Sequence, residues 1–300
     1  MKILGAVVTH NRRELLERCV NHLERQTRAP DQILIIDNAS TDGTAAMLRN
    51  RGVPFITQEN CGSAGGWHRS IEYGLGNGFD AVWLMDDDGY AHEEALATLE
   101  AAMKPEVACA SSVVLREDMP THFVFPFALL DRLGFPVICG MPRKLVTLDE
   151  LRKTAVDGTY PFAYLFNGAL INLEAVQKIG NVNREFYLSG EEVDYFFRLR
   201  SAGEVISILK AVQFHPDVSQ RPFTHAKFYY YLRNTIVLNA WYFNFVPIRN
   251  LLAVIAVLGR TAKRNGLLAA MSYLSGPGAP IFYLAILRGL RGKIGKDFVD

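Results

Sequence analysis

The first third of this chain repeats one grammar: a short β-branched run, a polar cluster, then apolar residues at helical spacing. Ile3–Thr9 reads as a first strand, Ile33–Ile36 as a second ending at Asp37, Val53–Thr57 as a third and Ala81–Met85 as a fourth. Behind the first, Asn11 and Glu14 have the spacing of a capping box, and Leu15, Leu16, Cys19 and Leu23 follow at helical intervals. Strands alternating with helical patterns specify an α/β chain, a sheet flanked by helices. Ligands of such sheets gather outside the carboxyl ends of the strands. All four runs end in polar residues there: Thr9-His10-Asn11-Arg12, Asp37-Asn38, Glu59-Asn60 and Asp86-Asp87-Asp88.

The strongest chemical signal is Trp83-Leu84-Met85-Asp86-Asp87-Asp88-Gly89. Three neighbouring carboxylates after an apolar strand repel one another unless a cation joins them. Mg²⁺ or Mn²⁺ suits such a set, because a hard ion takes one or two carboxylates and completes its shell with phosphate oxygens. A solvated acidic turn capping a helix over His92–Met103 explains the same residues without a metal. Asp37 can accept hydrogen bonds from a base or ribose, while Ser40-Thr41-Asp42-Gly43 also serves as ordinary turn and cap chemistry. The loop Asn60-Cys61-Gly62-Ser63-Ala64-Gly65-Gly66 precedes a helix, and its glycines would let the backbone approach a diphosphate. It is neither a Walker loop nor a dinucleotide fingerprint. Ser189-Gly190-Glu191-Glu192-Val193-Asp194 opens another helix; Ser189 and Glu192 match a capping box, the reading these residues favour by themselves, and the functional alternative makes Glu192 a general base. His215 ends a strand-like run before Pro216 and offers an imidazole ligand.

The net charge of +1 hides an asymmetry. From Arg221 to Asp300 there are 11 Lys or Arg and 2 Asp, a local charge of +9, which leaves −8 for residues 1–220. A basic, apolar tail behind an acidic body suits an anionic membrane surface or a solvated helical face. It does not suit a nucleic-acid binder, whose cations cluster about a recognition motif. Residues 266–287 are uncharged over 22 positions, long enough to span a bilayer, but Gly276-Pro277-Gly278 and Pro280 divide them. Two short helices lying on a membrane or on the core are expected. The four cysteines, Cys19, Cys61, Cys109 and Cys139, form no zinc-type spacing. The apolar start, Met1–Val8, is too short for a signal peptide and reads as a buried strand. A cytoplasmic protein on the inner face of a membrane is the resulting expectation. Residues 115–165, interrupted by five prolines, read as loops and short elements near an acceptor site.

In order along residues 1–240, these segments resemble the family-2 inverting glycosyltransferases: Val8–Arg12, Ile36–Thr44, Asn60–Gly66, the triple Asp, Phe166-Asn167-Gly168-Ala169, Glu191–Asp194 and His215. The resemblance implies a GT-A fold over residues 1–220, with nucleotide-sugar binding in 1–110 and acceptor and catalytic parts in 111–220. Residues 221–300 then form a helical, membrane-associating extension. It assigns donor contacts to Thr9, His10, Arg12, Asp37, Asn38, Asn60, Gly65, Gly66, Asp86 and Asp87. Asp86, Asp88 and His215 become ligands for Mn²⁺ or Mg²⁺. Glu192 stands where the family carries its base, commonly an Asp, with Glu191 and Asp194 as alternatives. Gly65-Gly66-Trp67 and Phe228-Tyr229-Tyr230-Tyr231-Leu232-Arg233-Asn234 resemble the galactofuranosyltransferases, with rhamnosyltransferases next. That implies UDP-galactofuranose as donor, dTDP-rhamnose as the alternative, and a glycan or lipid-linked glycan acceptor in bacterial surface-polysaccharide synthesis. Trp67, Asn167, His225 and Arg233 are candidates for acceptor or diphosphate contacts, and homo-oligomerisation is left open. A noncatalytic sugar-nucleotide or glycan-binding subunit is the competing class.

Overall fold

Period-two burial decides the sheet. In β1 (Ile3–Thr9), Leu4, Ala6 and Val8 enter the apolar layer on one face, while Ile3 and Val7 enter the layer on the other. A strand apolar on both faces must lie between two helical layers. The computed structural model describes residues 1–137, 142–219 and 221–298, and Cys139 lies outside the described residues. The chain divides into two units, Met1–Val182 with Tyr195–Asp217, and Asn183–Asp194 with Val218–Asp300.

In the first unit β1 pairs in parallel with β2 (Gln32–Asp37) and β4 (Ala81–Asp86), and β2 with β3 (Phe55–Thr57). The sheet then turns mixed. β10 (Asn167–Asn172) runs antiparallel between β4 and β6 (Val107–Arg116), and β11 (Glu204–His215) pairs in parallel with β6. With β5 (Tyr90–Ala91) at one edge, the order is β3-β2-β1-β4-β10-β6-β11-β5. One layer sets Trp67 and Ile71 of α3 (Gly62–Gly76) against Leu34, Leu84 and Ile171. The other sets Leu16, Cys19 and Leu23 of α1 (Arg13–Glu24), Leu48 of α2 (Thr44–Arg51) and Leu96 and Leu99 of α4 (Ala95–Ala102) against Ile35, Trp83 and Leu170.

Several sequence expectations change. The capping box at Asn11 does not form: α1 starts behind Arg12 without a side-chain cap. Asn11 instead takes φ +53° and accepts a hydrogen bond from the Thr41 backbone N–H at 2.7 Å. The expected loop Asn60–Gly66 is mostly helix, because α3 begins at Gly62. Residues 115–165 hold more structure than expected: β7 (His122–Ala128), β8 (Lys144–Thr147), α5 (Leu148–Thr154) and β9 (Thr159–Tyr160). Pro126 is tolerated in β7 because it falls where the pairing with β8 shifts register.

In the second unit α8 (His225–Tyr242), capped by Thr224, is the hub. Its Phe228 stacks on Tyr273 of α10 (Leu267–Ser275), with ring centroids 3.7 Å apart. Phe282 and Ala285 of α11 (Ala279–Leu290) and Ala253 and Val257 of α9 (Val246–Asn265) join the same cluster. The 22-residue uncharged stretch is thus two helices bent by 65°, and no single described helix is long and apolar enough to cross a membrane.

Candidate active site

The carboxyl ends of β1 and β4 meet in register, Val8 opposite Asp86. Past that register Thr9 Oγ1 donates to Asp87 Oδ2 at 2.7 Å. Arg12, just before α1, reaches Asp87 Oδ1 at 3.0 Å and Asp88 Oδ2 at 2.8 Å. Asp87 and Asp88 are 3% and 2% exposed, so water cannot offset their repulsion and cations must. Burial pushes the Asp87 carboxyl upward, against the opposing pull of Arg12 and the Thr9 hydroxyl. Burial also acts to discharge Arg12, but the facing Asp87 and Asp88 outweigh it and raise that group. Arg18 donates to the Asp88 carbonyl at 2.8 Å, pinning the turn from below.

His215 arrives at the far end of β11. Its Nδ1 lies 2.7 Å from the Pro216 carbonyl oxygen and must donate to it, since a carbonyl only accepts. That leaves Nε2 facing Asp88 Oδ1 at 2.8 Å. A ring nitrogen and a carboxylate oxygen so placed need a proton or a cation to join them. Two ligands of one ion, each bonded at roughly 2.1 Å, stand about 3 Å apart. Oxygen and imidazole donors also match the chemistry of Mn²⁺ or Mg²⁺. Asp86 is half-buried, with the Asn167 amide 3.4 Å from its Oδ2. It does not complete a three-ligand cluster, and none exists among the described residues. The set fits an ion that draws its remaining ligands from diphosphate and water.

The donor candidates divide. Asp37, fully buried at the end of β2, accepts the Ser40 N–H at 2.9 Å and shapes the turn. Asn38 bonds the Gly62 carbonyl and Gln58, tying β2 to the start of α3. His10 is exposed and bonded to the Asn38 carbonyl at 2.7 Å, and Asn60 is exposed, accepting from the Gly62 N–H. Gly65 and Gly66 are not a diphosphate cradle. Both are buried in α3, and a Cβ on Gly66 would lie 2.4 Å from a Val8 methyl, so this glycine lets the helix close on β1. Trp67 is likewise core, stacked on Phe166 at 4.7 Å.

In the second unit the acids open α7 (Glu191–Ala202), where the helix N-terminus favours negative charge. Gly190, and not Ser189, immediately precedes the helix, and Ser189 has φ +63°. Glu191 and Asp194 are buried at 4% and 3%, and the Tyr242 hydroxyl donates to Asp194 at 2.6 Å. Glu192 is half-buried and the most accessible of the three. Arg233 does not present itself to a ligand phosphate, whereas His225 is exposed at the start of α8. Arg233 is fully buried against Asp297 at 2.7 Å, and His225 pairs with the Tyr273 hydroxyl at 2.7 Å.

One residue escaped the sequence reading. Gln213 is fully buried, two positions before His215 on β11 and so on the same strand face. A Cβ on Gly89 would lie 2.8 Å from its amide nitrogen, and one on Gly168 would lie 2.3 Å from its amide oxygen. Both glycines therefore make room for this side chain beneath the acidic turn. Strand periodicity counted back from His215 was the signal that could have found it.

A mixed α/β sheet with acids and a histidine at its strand ends is the GT-A architecture, a fold of glycosyltransferases. The sequence profile of glycosyl transferase family 2 matches residues 6–137. The chain is 34% identical to the galactofuranosyltransferase GlfT1 of Mycobacterium tuberculosis, over 71% of this chain and 70% of that one. For GlfT1 of Mycolicibacterium smegmatis the identity is 32% over the same shares. Among solved structures, GalNAc-T7 with UDP, GalNAc and Mn²⁺ superposes with a TM-score of 0.59 at 14% identity. That match covers 82% of this chain and 49% of GalNAc-T7, so the chain spans about half its length. The chain belongs to glycosyl transferase family 2 and is a glycosyltransferase. An inverting displacement is consistent with that family.

Proposed function

We propose that this glycosyltransferase moves galactofuranose from UDP-galactofuranose onto a glycan or lipid-linked glycan in bacterial surface-polysaccharide synthesis, with a divalent cation held by Asp88 and His215. The buried Asp88–His215 contact at 2.8 Å carries the metal reading. GalNAc-T7, a protein of the same fold, was solved with UDP and Mn²⁺. The similarity to GlfT1 supports the sugar. A divalent ion held there supplies Lewis-acid stabilisation of the departing diphosphate. Arg12, held by Asp87 and Asp88, is within the same charge cluster and adds a cation for the donor phosphates. Glu192 takes the proton of the acceptor hydroxyl, and a single displacement inverts the anomeric centre. The test is turnover on UDP-galactofuranose, UDP-galactopyranose, UDP-glucose and dTDP-rhamnose, with and without Mn²⁺, using a bacterial lipid-linked glycan extract as acceptor. Mn²⁺-dependent transfer from UDP-galactofuranose alone is expected. Transfer from dTDP-rhamnose instead would reassign the sugar, and equal transfer after chelation would remove the metal.

We also propose that the protein lies peripherally on the inner face of a membrane. On α10 and α11 Leu267, Leu268, Met271, Leu287 and Leu290 are exposed, Leu268 at 84%, a larger apolar display than a solvated surface favours. Lys263, Arg264, Arg288, Arg291, Lys293 and Lys296 supply cations in the same segment. Co-sedimentation with vesicles is expected to require anionic lipid, to weaken at high salt and to drop severalfold in Leu268→Glu. Failure to bind anionic vesicles, with self-association in their absence, would make the apolar face an interface between copies.

A further inference from the structure

The turn that delivers the paired acids is strained. Tyr187, Ser189 and Gly190 take φ of +63°, +63° and +100° directly before Glu191 and Glu192. Two of these are not glycine, and side chains disfavour that region unless the surroundings hold them there. The restraint comes from α8. Asn234, 1% exposed, donates its amide hydrogens to the carbonyls of Phe186 and Leu188, each at 3.1 Å, and of Ser189. Three carbonyls share two hydrogens, so the amide must face the turn. Its orientation is set by Arg233, whose Nε donates to Asn234 Oδ1 at 2.8 Å. Arg233 is itself fixed by Asp297 at 2.7 Å and by the Gly295 carbonyl at 2.6 Å, with its guanidinium 4.8 Å from the Tyr230 ring centre.

The same helix face continues the grip. Asn234, Leu238 and Tyr242 follow at four-residue spacing and so lie on one side of α8. A Cβ on Gly190 would lie 2.9 Å from Asn234 Cβ and 3.2 Å from a Leu238 methyl, so the turn is packed against this face. One turn further, Tyr242 holds Asp194. The Arg233-Asn234 pair therefore acts on the backbone that precedes the acids, rather than on a ligand.

We propose that Asn234, oriented by Arg233, is a positioning residue that holds the Tyr187–Gly190 turn and through it aims Glu192 at the acceptor hydroxyl. This rests on the reading of Glu192 as the base. Asn234→Asp keeps the size and the Arg233 contact but removes every donated hydrogen bond to the turn. It is expected to lower kcat by about 10–100-fold, the cost of misplacing a reacting group by a fraction of an ångström to one ångström. KM and directly measured affinity for the donor should stay within about threefold, and rates are counted per donor-binding molecule so that misfolded protein does not enter. In a double-mutant cycle, Asn234→Asp should add nothing to the loss already caused by Glu192→Gln. Arg233→Lys, which keeps the charge but loses the Nε contact, gives the same reading should Asn234→Asp not fold. An unchanged kcat per donor-binding molecule, or losses that multiply in full in the double variant, would overturn the proposal. A fully active Glu192→Gln retires the base itself. If Asn234→Asp were still impaired beside it, the route through Glu192 would be wrong, which separates the two failures.

Discussion

Glu192→Gln is expected to lower transfer by about a thousandfold while donor affinity stays within about threefold of the parent. General-base catalysis contributes roughly 10²–10⁴-fold, and a carboxamide of the same shape retains packing but cannot take a proton. Glu192 is favoured over its neighbours by access. Glu191 and Asp194 are buried, and Asp194 is engaged by the Tyr242 hydroxyl, whereas Glu192 is half-buried at the head of α7. The measurement is steady-state transfer beside calorimetric titration of the donor. Retained turnover would remove Glu192 as the base. A matched loss in Glu191→Gln with Glu192→Gln unaffected would move the role one residue.

Asp88→Asn is expected to weaken Mn²⁺ binding by at least about a hundredfold and transfer by about a thousandfold, some 4 kcal/mol of transition-state stabilisation. Asp88 is the carboxylate that faces both His215 and Arg12, so its charge is shared between an imidazole and a guanidinium. Removing that charge leaves His215 facing a neutral amide and Arg12 with Asp87 as its remaining close carboxylate. Asp87→Asn provides the contrast. Its oxygens serve Thr9 and Arg12 rather than His215, and about a tenfold effect on transfer is expected, with Mn²⁺ affinity little changed. Free Mn²⁺ counted by electron paramagnetic resonance in both variants checks the pair. Equal Mn²⁺ affinity in Asp88→Asn and the parent would remove Asp88 as a ligand.

The short-range grammar of the chain was legible without coordinates. Ile3–Thr9 is a strand over the residues its β-branched run predicts, and Ala81–Met85 is one with Asp86 added. Strand polarity then put Thr9, Asp37 and Asp86 at one edge of the sheet, because parallel neighbours share their carboxyl ends. The break at Gly276-Pro277-Gly278 divided the apolar tail into two helices for an equally local reason, since proline and glycine end helices wherever they occur.

What local spacing could not decide was where helices close on the sheet and what distant residues share. Gly65 and Gly66 read as a phosphate loop, but the contact that explains Gly66 is with Val8, on a different element. The Asn11 cap was lost to a hydrogen bond from Thr41, a partner no window around Asn11 contains. Arg233 read as a candidate for an acceptor or diphosphate contact. Only the folded second unit buries it against Asp297 and sets Asn234 under the turn before Glu192. The composition of the site was therefore written in the sequence, as residue types at strand ends and helix starts. Its wiring, which carboxylate meets His215 and which amide holds the strained turn, belongs to tertiary structure, because those contacts join residues far apart in the chain that only packing brings within hydrogen-bond distance.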